Sequence, residues 1–142
     1  MAEGRGLRVL DGAPRRRRVG GQLLEGIRVS AAVLPGDAAG VAALSLAAAA
    51  PEHGIASQAL LTAPGLRATL FRFASGQELS EHTSPARVLV QVMAGTCEFS
   101  VAGQVHLLRP GELMHLPPHA PHAVRAPEDL TLLVVQATPP AK

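Results

Sequence analysis

From Ile55 onward, short apolar runs end at glycine or proline about every ten residues, a spacing typical of successive β-strands. Valine and leucine fill these runs, as expected for strands that bury one face. The pattern predicts an all-β sandwich or barrel with antiparallel strands. The candidate strands are SQALLTA (57–63), LRATLFRFA (66–74), RVLVQVMA (87–94), CEFSVA (97–102), QVHLL (104–108), ELMHL (112–116), HAVRA (122–126) and LTLLVVQA (130–137).

Two of these runs alternate visibly between faces. In CEFSV, Cys97, Phe99 and Val101 fall on one face, because side chains of a strand point alternately to its two sides. In HAVRA, His122 and Val124 share a face. Cys97 is therefore expected to be a small core residue and not a nucleophile, and Phe99 and His122 are expected to line the interior.

The N-terminal part of the chain follows a different pattern. Residues 1–54 are rich in Gly, Ala and Arg and show no sustained period, so we interpret them as an extension that is poorly ordered in part. Within it, LEGIRVSAAVLPGD (24–37) could form a strand and a turn, and the alanine-rich segment 38–50 a short helix. A single β-barrel domain is assigned to residues 55–138, with a tail at 139–142.

Composition excludes several classes of function. The formal net charge is only +2, with positive charge concentrated in Arg15–Arg18, and the chain has three Phe and no Trp or Tyr, which disfavours nucleic-acid binding. The longest apolar run falls well short of the ~20 residues that a membrane helix needs. A single cysteine permits no internal disulfide. We therefore expect a cytoplasmic protein that binds neither nucleic acid nor membrane.

The first of two histidine-bearing stretches is GQELSEHTSPARVLVQVMAG (76–95). In it, Gly76 is followed after five residues by His82, and the stretch closes on Gly95.

The second stretch is GELMHLPPHAPHAVRA (111–126), in which Gly111 is followed after five residues by Pro117 and then by His122. Three of the chain's six histidines lie in its central segment, HLPPHAPH. The prolines prevent a helix face there, so the two ends of the segment are expected on adjacent strands and not in one compact zinc cluster.

In spacing and turn residues, these two stretches resemble the two sequence motifs of the cupin superfamily. The resemblance extends over residues 66–136 and implies a small cupin-type double-stranded β-helix, or jelly-roll, barrel. It also implies a homodimer, for which Met93, Leu89 and Leu133 are candidates for an outward apolar patch.

The resemblance departs from the family at the metal ligands. Metal-binding cupins use two His and one Glu from the first motif and one His from the second. Here the second His position is Ser84 and the Glu position is Val88. The resemblance therefore implies that His82 and His122 remain as a pair across the barrel that could hold one divalent metal, with Mn, Fe, Ni and Zn not distinguished.

The other motif histidines leave alternatives open. His119 occupies a turn position that the family gives to Gly; histidine tolerates the left-handed conformation better than most residues, and we expect it to be exposed. His115 could replace a lost ligand if it points inward, and its direction is not fixed by the pattern. His106 alternates with Leu108 and is a second candidate of this kind.

Two main functions remain, and the sequence does not decide whether the chain is an enzyme. The first is a small-molecule binding protein, whose pocket is lined by Phe99, His82 and His122, with His115 as a further candidate, and holds a partly apolar or carboxylate-bearing ligand. The second is a metal-dependent enzyme of dioxygenase, isomerase or decarboxylase type, in which His115 or His106 completes the ligand set. A ligand-sensing module without catalysis is the third.

Overall fold

The computed structural model describes residues 32–44 and 50–139. Every regular element in these ranges is a β-strand. The strands are β1 (Ile55–Ala63), β2 (Leu66–Phe73), β3 (Glu78–His82), β4 (Arg87–Ala94), β5 (Cys97–Val101), β6 (Gln104–Leu108), β7 (Leu113–Leu116), β8 (His122–Arg125) and β9 (Leu130–Ala137). The eight predicted strands are all found, and the all-β prediction is confirmed.

The strands form two antiparallel sheets that enclose one core. The larger sheet has the order β1-β2-β9-β4-β7, and the smaller has the order β3-β8-β5-β6. Alternate residues of both sheets meet between them, so that Val90 and Val92 of β4 belong to the same buried cluster as Phe99 of β5 and Val124 of β8. The predicted inward alternation of β5 and β8 is confirmed, and the jelly-roll architecture follows.

Strand β3 is the element that the sequence pattern missed. Its sequence, ELSEH, has one apolar residue, Leu79, and no apolar alternation. Within the described part of the chain, the strand pairs with β8 alone and lies at the edge of the smaller sheet, where most of its side chains meet solvent. An edge strand can be polar on both faces, and hydrophobic periodicity cannot detect it. The missed strand carries His82.

The described part of the extension lies along the edge of the larger sheet. The backbone N–H groups of Val33 and Leu34 donate to the carbonyl oxygens of Ala59 and Leu60 on β1, at 3.3 and 2.8 Å. These bonds satisfy part of an edge strand that would otherwise be open to other chains. The predicted helix over 38–50 is not formed in 38–44.

The remaining expectations for the N-terminal extension and the C-terminal tail fall on residues outside the described ranges, which are 1–31, 45–49 and 140–142. In the part that the structure describes, no helix is long and apolar enough to cross a membrane.

Two of the three apolar residues proposed for a dimer contact, Leu89 and Leu133, lie on the outer face of the larger sheet. Leu89 is 40% exposed and lies opposite Val135, while Leu133 lies opposite Gln91 on the same face. Leu113 of β7, which is 61% exposed, extends this apolar face. A homodimer stays a prediction.

The turn before β8 places a histidine in the left-handed region, as the sequence predicted. His119 has φ of 69° and is exposed. Because this conformation brings Cβ against the backbone, His119→Gly is expected to raise the free energy of unfolding by about 1 kcal/mol. Urea unfolding of the two proteins measures the difference.

The matched control for this change is Ala120→Gly in the same turn. Ala120 is not among the described residues with positive φ, so glycine there adds only conformational freedom to the unfolded chain and lowers stability. Equal effects of the two substitutions would contradict strain at His119.

Candidate functional site

The structure brings His82 and His122 together, although forty residues separate them in the sequence. They lie directly opposite each other in the pairing of β3 with β8. Their ring centroids are 4.2 Å apart and the ring planes are inclined at 59°. His122 is buried, with 8% of its surface exposed, whereas His82 is exposed at the sheet edge. We call these two side chains the imidazole pair.

Both rings of the imidazole pair are anchored in the same way. Nδ1 of His82 lies 2.8 Å from the carbonyl oxygen of Ser80, and Nδ1 of His122 lies 2.8 Å from that of Ala120. A carbonyl oxygen only accepts hydrogen bonds, so each Nδ1 must carry the proton and donate it. In the neutral rings Nε2 therefore keeps its lone pair, and the orientation of both rings is fixed by the backbone.

Phe99 forms the inner support of the pair. Its ring is stacked on that of His122, with 5.9 Å between centroids and 7° between planes. Phe99 is almost fully buried in the core cluster. The sequence placed Phe99 in the pocket wall, and the structure places it behind His122, where it holds the ring from the core side.

The donor set does not fit a resident catalytic metal. Val88, at the family's Glu position, is buried in the core, and the hydroxyl of Ser84, at the second His position, accepts a hydrogen bond from the Ala86 N–H at 3.1 Å. Among the described residues, no three His, Cys, Asp or Glu side chains are grouped as metal ligands. Two imidazoles fall short of the three protein ligands usual in catalytic sites.

His115 lies apart from the imidazole pair. It is opposite Leu89 on the outer face of the larger sheet, because Met114 and Leu116 on either side of it point into the core. Its Nε2 lies 3.0 Å from Nη1 of Arg87, which donates the hydrogen bond. The expectation that His115 could point inward and replace a lost ligand is therefore corrected by the register of β7.

His106 lies on the inner face but not beside the pair. It is opposite Phe99 in the pairing of β5 with β6 and is half-buried. Strand β5 separates β6 from β8, and a two-strand spacing is about 10 Å. His106 therefore completes no metal site with the pair.

Cys97 is the small core residue that the alternation predicted. It is fully buried. Burial, with a smaller contribution from the charge of Glu98, raises the pKa of the Cys97 thiol to about 12. Because the thiolate is the nucleophilic form, the folded protein has no reactive thiol at this position.

A second group of polar side chains was missed by the sequence interpretation. Arg67 lies opposite Gln136 in the pairing of β2 with β9, and Gln136 lies opposite Val88 of the core. Both polar side chains therefore belong to the inner row of the larger sheet. In LRATLFRF, Arg67 shares its face with Phe71 and Phe73, and this alternation was the signal that could have revealed it.

Arg67 and Gln136 line a cavity of about 230 Å³ that opens to solvent. Three segments meet there: the β1–β2 hairpin, the loop between β3 and β4, and the end of β9. The lining residues are Thr62, Ala63, Gly65, Leu66, Arg67, Ser84, Pro85, Ala86, Gln136 and Thr138. We call this cavity the Arg67 pocket.

Comparison with known proteins gives one family and many similar folds. The family described as "Cupin domain" matches residues 69–136, just under half of the chain. No curated protein matches the chain significantly. A crystal structure of a cupin superfamily protein from Desulfitobacterium hafniense has a TM-score of 0.64 and 25% identity, covering 75% of this chain and 95% of that one.

Two further similar structures have higher and lower sequence identity to this chain. A Cupin 2 conserved barrel domain protein from Leptotrichia buccalis is 31% identical, with a TM-score of 0.59, over 62% of this chain and 43% of that one. A salicylate 1,2-dioxygenase variant from Pseudoaminobacter salicylatoxidans is 20% identical, with a TM-score of 0.57, over 59% of this chain and 26% of that one. At that identity the likeness shows the fold alone. The two antiparallel sheets, the motif glycines and these matches identify residues 69–136 as a cupin domain.

Proposed function

We propose that this protein binds a small, partly apolar molecule at the imidazole pair, and that the pair acts through hydrogen bonds and not through a resident catalytic metal. The observation that carries the proposal is the anchoring of both Nδ1 atoms to backbone carbonyls. It leaves two Nε2 acceptors on rings 4.2 Å apart.

The surroundings of the pair favour a ligand with both polar and apolar parts. Phe99 packs against His122 from the core, and Val101 lies opposite His122 in the pairing of β5 with β8. Since neutral Nε2 only accepts, the matching ligand group is a donor such as a hydroxyl. Small-molecule sites usually combine a small number of precisely placed polar groups with apolar surroundings.

Phenol is a suitable probe because it joins one hydroxyl to an apolar ring. In an NMR titration that observes imidazole nitrogens, phenol is expected to shift the Nε2 signals of His82 and His122. His82→Ala is expected to weaken phenol binding about tenfold, which corresponds to the loss of one hydrogen bond of about 1.4 kcal/mol. His82 is exposed, so its removal leaves the core unchanged.

The matched control is His115→Ala, which removes an exposed imidazole from the outer face and should leave phenol binding unchanged. Metal analysis of the purified protein tests the alternative, a metal-dependent site. One metal ion per chain, lost in both His82→Ala and His122→Ala, would overturn the proposal and favour a metal-dependent enzyme with a non-standard ligand set.

A further inference from the structure

The Arg67 pocket has the charge of an anion-binding site. Among the described residues that line it, Arg67 is the one ionisable side chain and none is a carboxylate. Across the described ranges, no residue forms an ion pair or a side-chain hydrogen bond with Arg67. A guanidinium is permanently charged, so the positive charge at this position is not neutralised by a described side chain.

The neutral groups around Arg67 are hydrogen-bond donors as well. The hydroxyl of Ser84 accepts a bond from the Ala86 N–H, which leaves its own proton free to donate. Gln136 supplies an amide, and Thr62 and Thr138 are further hydroxyl-bearing residues of the lining. One cation with several neutral donors suits a singly charged anion.

A carboxylate fits this set better than a phosphate. The planar guanidinium forms two parallel hydrogen bonds with a carboxylate, a geometry that also fixes the orientation of the ligand. A phosphate monoester carries close to two negative charges at neutral pH, and one arginine compensates only half of them. The cavity, at about 230 Å³, is below the usual range of drug-sized pockets and suits a small acid.

The Arg67 pocket and the imidazole pair lie at the same end of the barrel. Ser84, which lines the pocket, is two residues after His82, so their Cα atoms are at most about 7 Å apart. The carbonyl of Ser84 also accepts a hydrogen bond from the N–H of His119 at 2.7 Å, and His119 is three residues before His122. The loop between β3 and β4 therefore joins the two sites directly.

We infer that the Arg67 pocket binds the carboxylate of a small organic acid, and that the same molecule presents a hydroxyl to the imidazole pair. The first half stands on the pocket alone, and the second half rests on the proposed function. The ligand class is thus a small hydroxy acid with an apolar body.

Benzoate tests the pocket without involving the pair, because it has a carboxylate and no hydroxyl. In ¹H–¹⁵N NMR titrations, benzoate is expected to shift the backbone amides of Arg67, Ser84 and Thr138. Benzamide, a neutral analogue of the same shape, should shift them far less. Arg67→Gln is expected to weaken benzoate binding at least tenfold, and Arg67→Lys to restore part of it, since lysine keeps the charge but not the planar fork.

The control is Arg109→Gln, which makes the same charge change in an exposed turn between β6 and β7 and should leave benzoate binding as in the wild type. Equal binding of benzoate to wild type and Arg67→Gln would overturn the inference, as would equal binding of benzamide and benzoate to the wild type.

A phenol response that is retained in Arg67→Gln separates a failure of the Arg67 pocket from a failure of the proposed function. An acid with both groups, 3-hydroxybenzoate, must then bind more tightly than benzoate, and equal affinity would overturn the shared ligand.

Discussion

Phe99→Ala is expected to lower the free energy of unfolding by about 3–5 kcal/mol, the range for truncating a fully buried aromatic residue. Phe99 is 1% exposed and packs in the cluster that joins the two sheets. The change removes apolar area and leaves a cavity that the surrounding strands can fill only in part. Urea or thermal unfolding of both proteins measures the loss.

Phe73→Ala is the matched control for Phe99→Ala. Phe73 is equally buried, but its aromatic neighbour is Phe71 and not a histidine. Both variants should lose similar stability, while only Phe99→Ala should disturb the imidazole signals of His122. If Phe99→Ala does not fold, Phe99→Leu retains most of the volume and still removes the stacked ring. A loss below about 1 kcal/mol for Phe99→Ala would contradict the described packing.

Gly95→Ala is expected to lower the free energy of unfolding by about 3 kcal/mol, from two causes that add. Gly95 has φ of +82°, where an alanine costs about 1 kcal/mol. A Cβ there would also collide with the backbone carbonyl of Asp129, and overpacking typically costs 1–3 kcal/mol. Because backbone atoms and not a flexible side chain block the space, the collision is relieved only by moving the start of β9.

Gly111→Ala separates the two causes. Gly111 has φ of +91°, but a Cβ there meets nothing within 4 Å. This variant should therefore show only the conformational cost of about 1 kcal/mol. Equal losses for Gly95→Ala and Gly111→Ala would show that the close approach to Asp129 has no energetic role.

The same glycines explain why the sequence predicted the fold better than the site. Gly95 and Gly111 are required by backbone geometry, which the barrel cannot change without losing its turns. The ligand positions have no such requirement, and Val88 packs in the core where the family places a glutamate. The apolar runs and their bounding turns therefore predicted the strands correctly, while the family's ligand residues are not present at Ser84 and Val88.

Other features of the site could not be obtained from periodicity. Strand β3 was missed because an exposed edge strand needs no apolar face. The direction of His115 was open because its strand has apolar residues on both faces, and Leu113 of the outer face is 61% exposed. The pairing of His82 with His122, in contrast, was implied by the family resemblance, which placed the two residues across the barrel from each other. The structure brings the rings together on adjacent strands of one sheet, with His82 exposed at the edge.

The anchoring of the two rings by main-chain carbonyls has a consequence for how the proposed binding site can change its ligand. A main-chain carbonyl holds each Nδ1, so a substitution at a neighbouring position such as Val101, which lies opposite His122, can change the surroundings of the pair while these two hydrogen bonds remain. The main-chain carbonyls thereby orient the two rings, while the neighbouring side chains determine which ligand fits beside them. In such a site, substitution of the surrounding side chains alone can change which ligand is bound.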